Sequence, residues 1–321
     1  MTTSEKIAKT SAGTITRATI VADVLAAYLA ELDASPKTRD TYKKALRQYM
    51  AWLDGEGVRL DETTRAHVMA YKRHLQDTKS ANTCHAYLVA VRSLYTWLNG
   101  HIGYPNVAEG IKAKRPRQTN KGALSISQAR DLIATPAEGE RELRDRAMIS
   151  LMLRRGLRTI EVSRANVEDM RAEYGVMVLY VQGKKRTAKD DFVVLGDECE
   201  RAIRAYLKER GDVDPKAPLF AATGNRNRGG RMTTRSISRI AKEAMREQGI
   251  DMPHLTAHSL RHTAVTLALI GGATVQEAQA MARHASIDTT MIYAHNLDRA
   301  KATAERSVDA VLAGKTLAAA Y

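Results

Sequence analysis

The stretch "SPKTRDTYKKALRQYMAWLDGEG", residues 35–57, narrows the possible folds more than any other part of the chain. Ser35 has the short side-chain oxygen that caps a helix, and Pro36 has the fixed φ that suits its first position. Tyr42, Ala45, Leu46, Tyr49, Met50 and Leu53 then recur every three or four residues, until Gly55 and Gly57 end the pattern. A helix with one apolar face must bury it against other elements. The same period supplies them. Val21, Val24, Leu25, Tyr28 and Leu29 form a stripe before it, and Val68, Tyr71 and Leu75 form one within a helix over 64–76. Tyr87, Leu88, Val91, Leu94, Tyr95 and Leu98 lie within a fourth helix running from Ser80 to Gly100. Short connections between such helices predict an all-α bundle of four to five helices over residues 19–110. Residues 1–18 are polar and aperiodic and read as a flexible arm.

Residues 111–122, "IKAKRPRQTNKG", lack apolar periodicity and hold five basic residues and one proline, the composition of a basic linker. Residues 123–300 then read as a second, mixed α+β domain, mostly helical with a small antiparallel sheet. A helix is expected from Ser125 or Ser127, and another along "DRAMISLMLRRG". "GVMVLYVQGKKRTAKDDFVVLG" reads as two strands, Gly175–Val181 and Phe192–Leu195, around a charged hairpin. Further helices are expected over 197–210, 234–247, 259–270, 275–283 and 303–313. Residues 301–321 form a tail, a short amphipathic helix with an alanine-rich end. The fold class is therefore mainly α, in two domains, and no repeat of 20–50 residues suggests a solenoid.

Charge narrows the partner. Of the 321 residues 50 are Lys or Arg and 36 Asp or Glu, a formal charge of +14. Residues 1–122 hold 19 basic and 11 acidic side chains, which leaves 31 and 25 for the rest, so both lobes are basic. Two basic lobes suit a grip on one polyanion. Individually, Lys43, Lys44, Arg47, Lys72, Arg73 and Lys79 read as solvated charges. No apolar run approaches the ~20 residues a membrane span needs and no signal peptide opens the chain, so no membrane partner and a cytoplasmic location are expected. Cys84 and Cys199 are far apart and lack metal-ligand spacing. Neither a disulfide framework, a metal nor a cofactor is expected.

Four separated stretches carry the chemistry. "RRGLRTIEV" sets Arg158 just past Gly156, and "VQGKKRT" sets Lys184 where the first strand enters the hairpin. "AHSLRHT" puts His258 and Arg261 three apart, hence on one helical face, and "ARHASIDTTMIYAH" holds His284 with Tyr293 nine residues later. Tyr293 by itself reads either as a packed helix residue or as a nucleophile. In order and spacing the set resembles the tyrosine recombinase, or phage integrase, family over roughly residues 20–300. "GLRTIEV" is similar to that family's G-L-R-x-x-E-L, "HSLRHT" to its H-x-L-R-H-T, and "RHASIDTTMIY" to its G-H-x-x-x-x-T-x-x-Y.

The resemblance implies a SAM-like core-binding bundle and a catalytic domain, acting as a tetramer on two DNA sites through a Holliday junction, with accessory DNA-bending proteins as compatible partners. It implies that Tyr293 attacks a DNA phosphate to give a 3′-phosphotyrosyl link. Arg158 and Arg261 would bind the non-bridging oxygens, Lys184 would protonate the departing 5′-oxygen, His258 would assist proton transfer at the tyrosine, and His284 would donate to the phosphate. Glu161 would orient the site. Lys185 and Lys189 share the hairpin and stay open as alternatives to Lys184, while His262 and His295 read as structural or surface residues. Arg283 stands where the family usually has glycine, and is expected to alter the local backbone or add a phosphate contact. In this family the C-terminal tail commonly docks on a neighbouring subunit; packing on its own domain is the alternative.

The chemistry is sound on its own terms. A phosphodiester under attack gathers charge on its non-bridging oxygens, which planar guanidinium forks meet with paired hydrogen bonds. A neutral phenol is a weak nucleophile that needs a base or a cationic setting, and an alkoxide leaves only with an acid beside it. Exchange of one phosphoester for another requires no nucleotide hydrolysis. The sequence favours integration and excision of a mobile element, with Xer-like multimer resolution, type IB topoisomerase-like nicking and resealing, and non-catalytic DNA binding as alternatives.

Overall fold

The structure is a computed structural model that describes residues 17–113, 122–183, 188–300 and 303–313. The chain divides into two compact units, residues 1–119 and 120–321. The expected arm up to residue 16, linker residues 114–121, hairpin residues 184–187 and tail residues 314–321 lie outside the described residues.

The first unit is a bundle of α1 (Arg17–Glu31), α2 (Pro36–Gly55), α3 (Arg65–Thr78) and α4 (Ala81–Ile102), with a short 3-10 turn over Leu60–Glu62. Ser35 accepts the Thr38 N–H and Ser80 the Thr83 N–H, which satisfies one otherwise orphaned donor at each helix start. Gly103, in the left-handed region at φ 68, closes α4. The stripe of α2 turns inward as its period requires: Ala45, Leu46, Tyr49 and Leu53 are buried. They meet Val68, Tyr71 and Leu75 of α3 and Leu88, Val91, Leu94 and Tyr95 of α4 in one core. Tyr49 and Tyr95 carry their polar ends inside by pairing hydroxyl to hydroxyl at 2.9 Å. Lys43, Lys44, Arg47, Arg73 and Lys79 are exposed, and Lys72 is half-buried. Ile111, expected to open the linker, is buried in this core instead.

The second unit is built around α6 (Gly139–Arg155), whose Met148, Leu151 and Met152 are buried. It packs against α8 (Gly196–Arg210) and α10 (Ala257–Ile270). Also present are α5 (Ile126–Ala134), α7 (Thr159–Arg164), α9 (Thr234–Glu247), α11 (Val275–Ala282), α12 (Asp288–Ala300) and α13 (Thr303–Leu312). The sheet has three antiparallel strands in sequential order, β1 (Met170–Glu173), β2 (Val176–Val181) and β3 (Asp191–Val194). Only the latter two were expected. β1, "MRAE", is short and polar, and it becomes a strand because Tyr174 and Gly175 both adopt positive φ. That makes a two-residue hairpin turn and pairs Glu173 with Val176. Cys84 and Cys199 are both buried and free, one in each unit. Among the described residues no helix is long and apolar enough to cross a membrane.

Candidate active site

Four chain turns deliver the side chains. α6 ends at Gly156, in the left-handed region at φ 62, and the chain reverses there. Leu157 sinks into the core, and Arg158 becomes the N-cap of α7. One turn on, Glu161 is fully buried; its carboxylate accepts the Arg158 backbone N–H at 2.8 Å. α10 starts on a capping box of Thr256 and Ser259, which directs Arg261 inward. α11 starts on the Thr274–Glu277 capping box and ends at Arg283. After that turn come His284 and then α12, which carries Thr290 and Tyr293. Periodicity does not mark α12 in the sequence, since the apolar residues of "DTTMIYAHNLDRA" are spread around the helix rather than gathered in one stripe.

Arg261 is 2% exposed and donates to the carbonyls of Gly156 and Ala282, tying the ends of α6 and α11 together. Burial, followed by the like charges of Arg158 and Arg283 and opposed by Glu161, pushes it down to about 9, which leaves it cationic at neutral pH. Arg158 donates to Glu161 Oε1 at 2.8 Å and to the Arg283 carbonyl at 3.2 Å. The Arg283 guanidinium reaches Glu161 Oε2 at 2.7 Å. Burial would raise the Glu161 carboxyl, but the charge and hydrogen bond of Arg283, then the backbone N–H and charge of Arg158, hold it below the usual carboxylate range. Arg158 and Arg283 therefore share one buried carboxylate, whose charge Arg261 also feels. Buried charges persist only when compensated, so two surplus positive charges make this hollow a seat for an anion.

Arg283 sits at φ 52, ψ 50, the left-handed conformation that glycine adopts freely. The turn expected of a glycine is thus kept, and the added side chain reaches the carboxylate. The left-handed backbone costs a non-glycine residue about 1–2 kcal/mol. A hydrogen bond to a buried charged partner contributes about 1.5–3 kcal/mol, enough to offset it.

His284 Nδ1 lies 2.8 Å from the hydroxyl of fully buried Thr290. Burial first, then the charges of Arg261, Arg158, Arg283 and His258, push its pKa down to about 4. The ring is neutral at physiological pH, and where Thr290 donates to Nδ1, Nε2–H is left to donate to an oxyanion. The Tyr293 ring stacks 6.3 Å from that of His284 and packs near Val265, Ala278 and Ala282.

Arg158, Arg261 and His284 come together as their spacing implied, with Tyr293 beside His284. It is His262 whose Nδ1 hydrogen-bonds the Tyr293 hydroxyl. His258, one turn away on α10, is exposed and meets His262 edge-on at 4.6 Å. Its i,i+4 spacing from His258 is the sequence signal that marks His262 as a neighbour in the same site. Lys184 and Lys185 lie outside the described residues; Lys189 pairs with Asp169 at 2.5 Å. Arg164 anchors the carbonyl of Gly183, the last described residue before the hairpin, at 3.1 Å.

The sequence profile of the phage integrase family matches residues 123–300, and that of the phage integrase N-terminal SAM-like domain matches residues 11–100. A tyrosine recombinase XerC from Pelobacter propionicus is 34% identical over 276 residues, which are 84% of this chain and 88% of that protein. The chain is a tyrosine recombinase of the phage integrase family. It is thereby an enzyme, a site-specific DNA recombinase. A tyrosine recombinase XerD from Bifidobacterium longum is 30% identical to it over 270 residues, 80% of the recombinase and 86% of the relative. Its fold is shared with the XerH site-specific recombinase bound to palindromic difH substrate in a post-cleavage complex. There the TM-score is 0.70 at 18% identity, over 89% of the recombinase and 85% of that chain. A lambda integrase dimer bound to a COC′ core site gives 0.67 at 17% identity, over 85% and 76%.

Proposed function

We propose that this recombinase cuts and rejoins double-stranded DNA through Tyr293. Its phenolic oxygen attacks the scissile phosphorus, the bond to the 5′-oxygen breaks, and a 3′-phosphotyrosyl ester remains. The phenolic proton passes to His262, with His258 behind it, and the 5′-oxygen takes a proton from Lys184. Arg158, Arg261 and the neutral His284 hold the non-bridging oxygens, whose charge grows in the transition state. Attack by a 5′-hydroxyl of a second duplex reverses each step, so strands exchange with little net change in bond energy. The observation that carries the reading is the gathering of Arg158, Arg261 and Arg283 about one buried carboxylate, beside a tyrosine whose hydroxyl is hydrogen-bonded to a histidine.

Exchange between two duplexes calls for four copies on two sites, and accessory DNA-bending proteins fit such an assembly. The XerC and XerD names among relatives at 30–34% identity favour Xer-like resolution of DNA multimers over integration and excision of a mobile element. The test begins by selecting bound sites from fragmented genomic DNA. The recombinase is then incubated with nicked versions of those sites, and the adduct is mapped by mass spectrometry. A DNA adduct on Tyr293, absent from Tyr293→Phe, is the expected result; an adduct elsewhere, or none, refutes the mechanism. Deletion between two directly repeated sites on one plasmid, with no insertion into a second, supports resolution; the opposite pattern supports integration.

A further inference from the structure

The residue that departs from the family pattern, Arg283, occupies the centre of the charge network. Its side chain is 7% exposed, and it bridges from the Met281 carbonyl at 2.7 Å to Glu161 Oε2 at 2.7 Å. Its own carbonyl accepts from Arg158. We propose that Arg283 is a positioning residue: by holding Glu161 Oε2 it limits the Arg158 guanidinium to a single bond with that carboxylate and leaves the rest of its fork for the DNA phosphate. This inference deepens the proposed function and rests on that reading for its substrate.

The argument is one of donors and charges. Arg158 has five N–H groups in its fork and places one Nη1–H on Glu161 and one Nη2–H on the Arg283 carbonyl. Glu161 offers Oε1 to Arg158, while Oε2 is held by the Arg158 backbone and by Arg283. Remove the Arg283 guanidinium and Oε2 keeps one backbone donor. Oε2 is then open to a two-pronged clasp in which Glu161 draws the Arg158 Nη2 group off the residue-283 carbonyl, the geometry arginine and carboxylate favour. Arg158 would turn from the anion seat, and the surplus would fall from two charges to one. A glycine at this position keeps the turn but lacks the guanidinium; arginine accepts a left-handed backbone, and the cation gained faces Glu161.

The charged and titratable neighbours of His284 are Arg261 and His258 on α10, Arg158 before α7, Arg283 itself, and Tyr293 on α12. Loss of one cation relaxes the repulsion that keeps the ring neutral, so His284 also reports the role by a route independent of DNA.

The experiment compares the parent protein with Arg283→Gly, Arg283→Met and Arg283→Lys. Single-turnover cleavage of a nicked site and the His284 titration, read by NMR in the DNA-free protein, are measured for each. Arg283→Gly suits the backbone at this position, and circular dichroism confirms that it is folded. Expected are a fall in cleavage of about tenfold or more for Gly and Met, as displacement of a phosphate-holding group gives, an upward move of the His284 midpoint in both, and recovery of both readouts in Lys. An unmoved His284 midpoint in Arg283→Gly, or recovery in Met as complete as in Lys, overturns the proposal. A parent protein that forms no tyrosyl adduct, with His284 still moved in Arg283→Gly, defeats the functional reading while leaving the charge network intact.

Discussion

Glu161→Gln is the most informative single perturbation of the site. The side chain keeps its volume and one acceptor, but the lone buried carboxylate among Arg158, Arg261 and Arg283 is lost. Breaking a buried pair by removing one partner costs about 3–5 kcal/mol, because the remaining charges stay desolvated and repel one another. For a domain of this size each kcal/mol lowers Tm by about 2–4 °C, so the variant should unfold roughly 6–20 °C earlier. The deficit is of charge, and an anion able to enter the hollow should replace it. Thermal scans of the full chain at neutral pH, in inorganic phosphate and in sodium chloride of matched ionic strength, separate the two effects. Phosphate should raise the Tm of Glu161→Gln more than that of the parent, since binding to the folded state alone stabilises it. A variant of parental Tm would refute the reasoning, as would a destabilised one to which phosphate gives no more than chloride.

His262→Ala should lower single-turnover cleavage by about 10²-fold or more, within the range of general acid–base catalysis, with site binding retained; a full-rate His262→Ala beside an inert His258→Ala would return the proton-handling role to His258. His284 has a folded pKa near 4 against 6.5 unfolded, so the unfolded chain takes up its proton first as pH falls. Its contribution to stability is thus present above about pH 6.5 and lost towards pH 4, and His284→Gln should flatten that part of a pH-dependent denaturation series; an unchanged slope would contradict the assignment. Leu46→Ala empties a fully buried site in the first unit and should cost about 2–5 kcal/mol in a urea titration, with little change if the site is wrongly placed in the core.

Much of the fold could be read from periodicity, because a stripe such as Ala45, Leu46, Tyr49 and Leu53 specifies both a helix and the face it buries. The glycines and caps that end these helices were equally legible, since their chemistry acts within a few residues. β1 escaped notice because its four residues gain strand geometry only by pairing with β2 across the Tyr174–Gly175 turn. The helix holding Tyr293 escaped for a similar reason: its face is set by packing on α10 and α11 rather than by a clear apolar stripe.

At the site, the order of Arg158, His258, Arg261, His284 and Tyr293 along the chain was enough to mark the family resemblance, and it is the resemblance that implied the reaction. Which histidine holds the tyrosine hydroxyl was not, because His258 and His262 share one face of α10 and only its packing against α12 selects His262. The part played by Arg283 was hidden likewise. Its partner Glu161 is 122 residues away in the chain, and a hydrogen bond of 2.7 Å between them exists only once α7 and the end of α11 are folded side by side. Local chemistry determined the elements and the reacting groups; proximity between distant groups, on which pKa and hydrogen bonding depend steeply, was decided by the tertiary fold.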